Sequence, residues 1–528
     1  MVNHRRVLIM LALLLITPFS PALMPAVQDS SESLELSEPD FSEQQRLELA
    51  TMNWHKAASM SFSGVETNSP SGLVHLSSGS FDPLNSEGPK VVENLHDDFD
   101  YLSTGLAILQ LEYGSDLENL QTQYGFTILD YLGEGSLMIR LPANTAQTFD
   151  EMNEDSRVRW LGNMHPGWRV SEGILESQNV NSLMLIPSDD LQLGGLDKLV
   201  LDLTNYGADD AWCGIGACQV SLTGSSLSDF VEKTSTDGRI IWIEQGHGLE
   251  LHNAVAGAIS GVVNVASSAT FTLDGSGEML AIADTGIDRD HPDISGRVSA
   301  VYTQFGLDGS PIDSNTGHGT HVTLTAIGDG TGDSSAKGIA PEALLTMYAL
   351  EHDPTGVFGR QGSIYSLLLD AKQKTARIAI NAWGLNGNYG EYTADSRSVD
   401  QFVWDEPALL PVFSVGDRGS SGTSQISPPG TAKNVLSVGA STTGTGSSAS
   451  AGLVASISSQ GPTLDGRIKP DVVAPGIELC SGRAEEAKSP SGLSCGSGTH
   501  GDGDPLYMSL SGTSQATAVT GGVASLTR

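Results

Sequence analysis

Basic residues are scarce in this chain. Its 528 residues hold 27 Lys and Arg against 63 Asp and Glu, a formal net charge of -36. A field of that sign repels nucleic acid and anionic membrane surfaces, so neither is expected as a partner. Long apolar runs are also missing: after the first residues, no stretch approaches the ~18 uninterrupted apolar residues of a membrane-spanning helix. Cysteine is limited to Cys213, Cys218, Cys480 and Cys495. Neither local pair has the C-x-x-C spacing or the matching histidine of a zinc site. No fixed-period repeat occurs, which removes solenoids and propellers. What remains is ample core-forming material, 39% hydrophobic residues, in a chain long enough for two to four domains.

The first residues read as an address. Met1–Arg6 contains two arginines, Val7–Phe19 is almost unbrokenly apolar, and a Pro/Ala-rich stretch ends near Ala26. The apolar run is short of the roughly 20 residues a span needs, so 1–26 is expected to be a removed signal peptide. The protein is then secreted and extracellular, with no membrane contact after signal removal. An exported chain with an even cysteine count is expected to form disulfides. Four cysteines allow three pairings. The local one, Cys213 with Cys218 and Cys480 with Cys495, is the expectation, because it leaves one bridge on each side of a processing site.

Residues 27–100 are rich in Ser, Glu, Asp, Asn and Pro and read as an acidic, poorly ordered linker. Within 101–170, Leu106–Tyr113 reads as a strand and Asp116–Tyr124 as a helix. Phe126–Leu132 and Ser136–Leu141 form a strand pair around Gly133-Glu134-Gly135. A helix near Ala143–Asn153 and a strand at Val158–Leu161 complete the β-α-β-β-α-β order of a ferredoxin-like unit. Residues 171–250 form a second α/β or α+β unit, in which Leu183–Ile186, Leu199–Leu203, Cys218–Leu222 and Ile240–Ile243 read as strands of unassigned topology. From Gly277 onward, short apolar strands alternate with Gly-rich loops and helices, an α/β rhythm.

Three segments carry chemistry. An apolar strand, Met279-Leu-Ala-Ile-Ala-Asp284, ends in an acid. Gly317-His318-Gly-Thr-His321 offers an imidazole, and Leu510-Ser-Gly-Thr-Ser514-Gln515 is a small-residue turn leading into a helix. Each alone is weak; in the order Asp, His, Ser they are the order of the subtilisin triad. The chain resembles the subtilase (subtilisin-like serine peptidase) family, and most closely the KP-43-like group of oxidatively stable alkaline proteases. The likeness covers about Asn253 to the end and includes Lys337-Gly-Ile-Ala-Pro341, Arg377–Gly384, Tyr392–Asp400, Ser427–Asn434 and Ser458–Gly476. It implies a subtilisin-like three-layer α/β fold with a mostly parallel central sheet over 251–528, preceded by a ferredoxin-like α+β propeptide at 101–170. Such propeptides assist folding and block the cleft until cut. Alignment implies a mature start near Asn253.

The resemblance assigns Ser514 as nucleophile, His318 as the base that activates it, and Asp284 as the group that orients the imidazole. His321 is then structural. Ala382, Trp383 and Gly384 on one wall, and Ser414, Val415 and Gly416 on the other, would line a mostly apolar specificity pocket. No cofactor is needed for this chemistry. Structural calcium is common in the family, and the loop Asp329-Gly-Thr-Gly-Asp333 is the candidate, with no metal site assigned.

Three departures stand out. The family's oxyanion Asn is Asp417, and an ionised carboxylate can only accept hydrogen bonds. Either it is protonated or Arg418 offsets its charge. The residue after the nucleophile, usually Met, is Gln515, which removes an oxidation liability. The chain also ends at Arg528, so a catalytic domain truncated at its C-terminus is expected. The leading function is a secreted serine endopeptidase precursor acting on proteins or peptides, with its own propeptide as a partner. The alternative is a catalytically weak or inactive subtilase-like binding protein. A lipase-like hydrolase is disfavoured because no G-x-S-x-G elbow surrounds Ser514.

Overall fold

The computed structural model describes residues 72–528 apart from 77, 87, 90–103, 113, 134, 143–144, 172–173, 176–179, 192, 223–226, 252–272 and 444–450. The expected signal peptide, most of the linker, and the processing site near Asn253 lie outside the described residues. Two compact units form: one runs to Glu172 and adds Ser235–Gly238, and the other holds Gly173–Thr234 and Arg239–Arg528.

The first unit opens with a hairpin, β1 (Val74–Leu76) and β2 (Gly79–Phe81). There follow β3 (Leu106–Leu111), α1 (Leu117–Tyr124), β4 (Thr127–Tyr131), β5 (Ser136–Arg140), α2 (Thr145–Asn153) and β6 (Val158–Asn163). The sheet order is β4-β5-β3-β6, all antiparallel. Local chemistry sets the helix ends. Asp116 caps α1 by accepting the Asn119 N–H at 3.0 Å, and Gly125 closes it in the left-handed conformation at φ 70°. Leu109, Leu120, Leu137, Ile139 and Met152 form its buried core.

The second unit begins with the same wiring: β7 (Ser182–Pro187), α3 (Leu193–Tyr206), β8 (Asp210–Gly214), β9 (Ala217–Ser221), α4 (Leu227–Ser235) and β10 (Ile240–Gln245), in the order β10-β7-β9-β8. This corrects one expectation, because Leu199–Leu203 is helical and not a strand. Leu196, Leu199 and Leu203 are buried at three- and four-residue spacing, the inner stripe of α3. The sheet packs through β7 and β9 against a helix of the following domain, α7 (Ala394–Asp405). A short strand, β11 (Leu249–Leu251), follows.

The remaining residues build a three-layer α/β domain. Its eight-stranded sheet contains β12 (Met279–Asp284), β13 (Val298–Tyr302), β14 (Leu344–Ala349), β17 (Ile378–Asn381), β19 (Leu410–Ser414), β20 (Leu436–Thr443), β21 (Ala451–Val454) and β22 (Val472–Pro475). The order is β13-β14-β12-β17-β19-β20-β21, with β22 also on β20, and every pair is parallel except β20–β21. Helices α5 (His318–Ile327) and α8 (Thr513–Leu526) cover one face through Val322, Leu324, Ala516 and Val519. Helices α6 (Ile364–Gln373) and α7 cover the other through Leu367, Leu368, Val399 and Phe402. Small additions are the hairpin β15 (Glu351–His352) and β16 (Val357–Phe358), and the edge strand β18 (Trp383–Leu385). A three-stranded sheet of β23 (Leu479–Gly482), β24 (Leu493–Ser494) and β25 (Tyr507–Leu510) completes the domain. In a sheet wound both ways, function gathers at the carboxyl ends of the strands, where β12 delivers Asp284.

Candidate active site

Asp284 is the last residue of β12, His318 the first of α5, and Ser514 lies in the first turn of α8. All three are fully buried. His318 Nδ1 lies 2.6 Å from Asp284 Oδ1, which also accepts the Thr285 N–H at 2.8 Å. This approach requires glycine at 319, since a Cβ there would come within 2.3 Å of the Gly286 carbonyl oxygen. Thr285 Oγ1 accepts the Gly319 N–H at 2.7 Å and donates to Asp313 Oδ1 at 2.8 Å, tying the helix start to the strand end. Asp313 Oδ2 in turn accepts the Thr320 N–H at 2.8 Å. Thr285 and Asp313 were not singled out from the sequence, although both flank the motifs that were.

Burial opposes a charge on His318, but Asp284, then Asp313 and Asp417, outweigh it and raise its pKa above the usual histidine value. His318 Nε2 has no hydrogen-bond partner among the described residues. Ser514 Oγ donates instead to the Ala382 carbonyl oxygen at 2.6 Å. The Asp–His half of the constellation is therefore engaged, while the serine is turned onto Ala382, between β17 and β18. His321 is structural: its Nε2 meets the Leu479 carbonyl at 3.1 Å, and burial, with His318 nearby, pushes its pKa down to about 3.

Asp417 follows the carboxyl end of β19, and its Oδ1 accepts the Thr513 N–H at 2.8 Å. Thr513 Oγ1 accepts the Gly416 N–H at 3.1 Å, joining the β19 wall to the start of α8. Arg418, the proposed charge partner of Asp417, stacks its guanidinium 4.3 Å from the Tyr389 ring centroid. Gln515 is fully buried, and neither polar atom of its amide has a partner among the described residues.

The two expected pocket walls stand side by side, because β17 and β19 are neighbours in the sheet. Ser414 and Val415 are buried, and Gly416 has φ 96°. Trp383, expected in one wall, is fully buried. Its ring packs edge-on against Phe413 at 5.6 Å, and its Nε1 donates to the Ala283 carbonyl at 2.8 Å. Its backbone is occupied: β11 pairs antiparallel with β18, Leu249 opposite Leu385, Glu250 opposite Gly384 and Leu251 opposite Trp383. β11 touches β16 as well. The Asn386 N–H extends the ladder to the Gly248 carbonyl at 2.8 Å.

The cysteines pair locally, Cys213 with Cys218 across the β8–β9 hairpin and Cys480 with Cys495 beside β25. In the expected calcium loop, Asp329 Oδ1 accepts the Thr331 N–H, and Asp333 accepts from Ser335 and Ser497. These carboxylates fit local hydrogen-bonded turns. Among the described residues no group of three or more His, Cys, Asp or Glu is arranged to hold a metal.

Asp284 at the carboxyl end of β12, His318 at the start of α5 and Ser514 in the first turn of α8 are the residue types of a serine-hydrolase triad. Residues 275–528 match the model of the Subtilase family. The chain is 28% identical over 324 residues to serine protease AprX of Bacillus subtilis (strain 168), covering 59% of this chain and 70% of that protein. It is 29% identical over 246 residues to the serine protease/ABC transporter B family protein tagA of Dictyostelium discoideum, covering 42% of this chain but 14% of that protein. Fervidolysin from Fervidobacterium pennivorans, a keratinolytic enzyme related to subtilisin, superimposes with TM-score 0.47 at 19% identity, covering 66% of this chain and 54% of that one.

Proposed function

We propose that the chain is the precursor of a secreted serine endopeptidase that hydrolyses proteins or peptides through an acyl-enzyme. The observation that carries this reading is the buried Asp284–His318 contact of 2.6 Å with Ser514 in the adjoining helix turn. Rotation of Ser514 about its Cα–Cβ bond would release Oγ from Ala382 and aim it at the unpartnered His318 Nε2. His318 then takes the proton as Oγ attacks the scissile carbonyl, and returns it to the leaving amine. Asp284 stabilises the imidazolium without accepting its proton. The oxyanion forms near the start of α8, where the helix dipole favours negative charge. Disulfides in two separate regions fit an oxidising compartment outside the cytoplasm. Among the described residues no helix is long and apolar enough to cross a membrane. Gln515 beside the nucleophile supports kinship with the oxidatively stable alkaline group.

The role of cleft-blocking propeptide goes to 182–251 rather than to 101–170. Apart from Ser235–Gly238, the 182–245 segment shares a compact body with the catalytic domain, packs on α7, and continues into the strand paired with β18. The β11–β18 register ends with Leu251 opposite Trp383, the residue after Ala382, whose carbonyl holds Ser514 Oγ, and the family resemblance implies a mature start near Asn253. Cleavage is therefore expected between His252 and Asn253. Expressing the chain beside a Ser514→Ala version tests this. N-terminal sequencing should find Asn253 only in the former, with casein hydrolysis tracking it. Processing that persists in Ser514→Ala would remove the assignment.

A second reading, a subtilase fold kept for binding, is favoured by Asp417. With Oδ1 accepting from Thr513, the other oxygen must be protonated to donate to an oxyanion. A missing donor costs about 10²–10³-fold in rate. Asp417→Asn is expected to raise kcat by up to about 10²-fold at alkaline pH, with less gain as pH falls and the carboxyl protonates. An unchanged rate over the whole pH series would show that the position does not limit catalysis.

A further inference from the structure

The strand in the cleft carries information about sequence preference beyond the scissile bond. If residue 252 precedes the cut, Glu250 occupies the third position before it. Its side chain does not simply face solvent. The Tyr389 hydroxyl donates to Glu250 Oε1 at 3.2 Å and shares its proton with Asn386 Oδ1 at 2.8 Å. Beneath the same ring, the Arg418 guanidinium lies 4.3 Å from the centroid. Burial raises the pKa of the Tyr389 hydroxyl, and the Glu250 charge raises it further while Arg418 opposes. Both charges thus act on one hydroxyl. Arg418 is anchored through its backbone N–H on Ser459 Oγ at 3.0 Å, and its Nε is buried with no partner among the described residues. A cation with spare donor capacity, fixed on an aromatic face beside the cleft edge, is an uncommon feature in a molecule with 27 basic residues against 63 acidic ones.

We infer that Tyr389 and Arg418 form a subsite selecting substrates with an acidic side chain three residues before the scissile bond. This rests on the peptidase reading and on the β11 register. The aromatic ring provides the platform, the hydroxyl the hydrogen bond, and the guanidinium the charge that an amide or a lysine at that position would not match. A hydrogen bond to a charged group, placed where water is partly excluded, discriminates more than an exposed pair does. The expected preference for Glu over Gln is about tenfold in kcat/KM, and Lys is rejected more strongly than Gln.

The test uses the processed enzyme and three fluorogenic peptides based on Gly-Leu-Glu-Leu-His-Asn, with Glu, Gln or Lys at the third position. The expected result is cleavage after His in all three, fastest with Glu. The Glu/Gln ratio should fall toward one in Arg418→Ala, stay partly elevated in Arg418→Lys, and fall in Tyr389→Phe. Added salt should shrink the ratio in the parent enzyme. Equal rates for the three peptides, with efficient cleavage, would overturn the subsite and leave the peptidase intact. Failure to cut any peptide or casein would overturn the peptidase reading, and the subsite with it. A Glu preference that survives both Arg418→Ala and Tyr389→Phe would place the recognition elsewhere and sink this assignment.

Discussion

The chain contains two α+β units with identical wiring, and only one runs on into the strand paired with β18. Both run β-α-β-β-α-β, and both order their strands with the first flanked by the third and fourth. The difference lies in what is attached. The unit at 182–245 has a disulfide in its β8–β9 hairpin, whereas the one at 106–163 contains no cysteine. The later unit also presents Glu244, whose Oε1 accepts the Ala394 N–H at 3.0 Å in the first turn of α7. Asp189 adds an ion pair to Arg397 of the same helix at 3.0 Å. Its last strand then runs on into β11. A fold shared by two segments does not by itself say what each one does; the differences lie in the groups at their edges and in the outgoing strand.

Core truncation should separate the two units most sharply. Phe230 and Leu109 are both fully buried, one in each unit. Phe230→Ala is expected to cost about 3–5 kcal/mol and Leu109→Ala about 2–5 kcal/mol locally. Phe230→Ala should abolish tight inhibition of the processed enzyme by its cleaved N-terminal part, while Leu109→Ala should leave the inhibition constant within about twofold. Comparable losses in both would mean that the cleft-blocking function needs both units.

Removing the Cys213–Cys218 bridge is a milder probe of the same contrast. It closes a loop of sequence separation 5, and a cross-link that short constrains the unfolded chain by about 2 kcal/mol. The Cys213→Ser/Cys218→Ser double variant should lower the melting temperature of the 182–245 unit and slow processing. Melting of the 106–163 unit, followed in the same sample by hydrogen exchange, should not move. A coupled shift would show that the two units unfold together.

The placement of Asp284, His318 and Ser514 at a strand end and two helix starts was legible because each sits in a short local motif, an apolar strand ending in an acid or a small-residue turn into a helix. The 106–163 unit was legible for local reasons as well: an Asp cap at 116, glycine turns at 125 and 133, and short apolar strands such as Leu106–Leu111. The 182–245 unit was not. The run Leu199–Leu203 looks extended when scanned by apolar content, and only the wider spacing with Leu196 reveals a helix. Strand Asp210–Gly214 has no buried residue, and helix Leu227–Ser235 is short, so neither rises above its surroundings. The pairing of Leu249–Leu251 with Trp383–Leu385 is beyond sequence reading altogether. It joins segments far apart along the chain, and no local pattern encodes its register.

The smallest expected effect follows from Glu244. Its carboxyl is buried; burial, with further contributions from Asp395 and Glu391, pushes its pKa up to about 7, against the opposing Ala394 N–H and Trp242 Nε1 donors. In the separated unit the group is expected to return to the ordinary value near 4.5. A carboxyl raised on docking binds a proton more tightly in the complex, so docking is strongest below the free value and weakens as pH climbs to about 7. Between pH 6 and pH 8 the inhibition constant of the cleaved N-terminal part should rise about tenfold, or ~1.4 kcal/mol. Glu244→Gln keeps an acceptor for Ala394 but cannot ionise, so its inhibition constant should be flat over that range. If Gln retains the full pH dependence, the titrating group lies elsewhere at the interface. If instead the parent protein binds more tightly at pH 8 than at pH 6, the N–H donors outweigh burial and Glu244 docks as a charged cap.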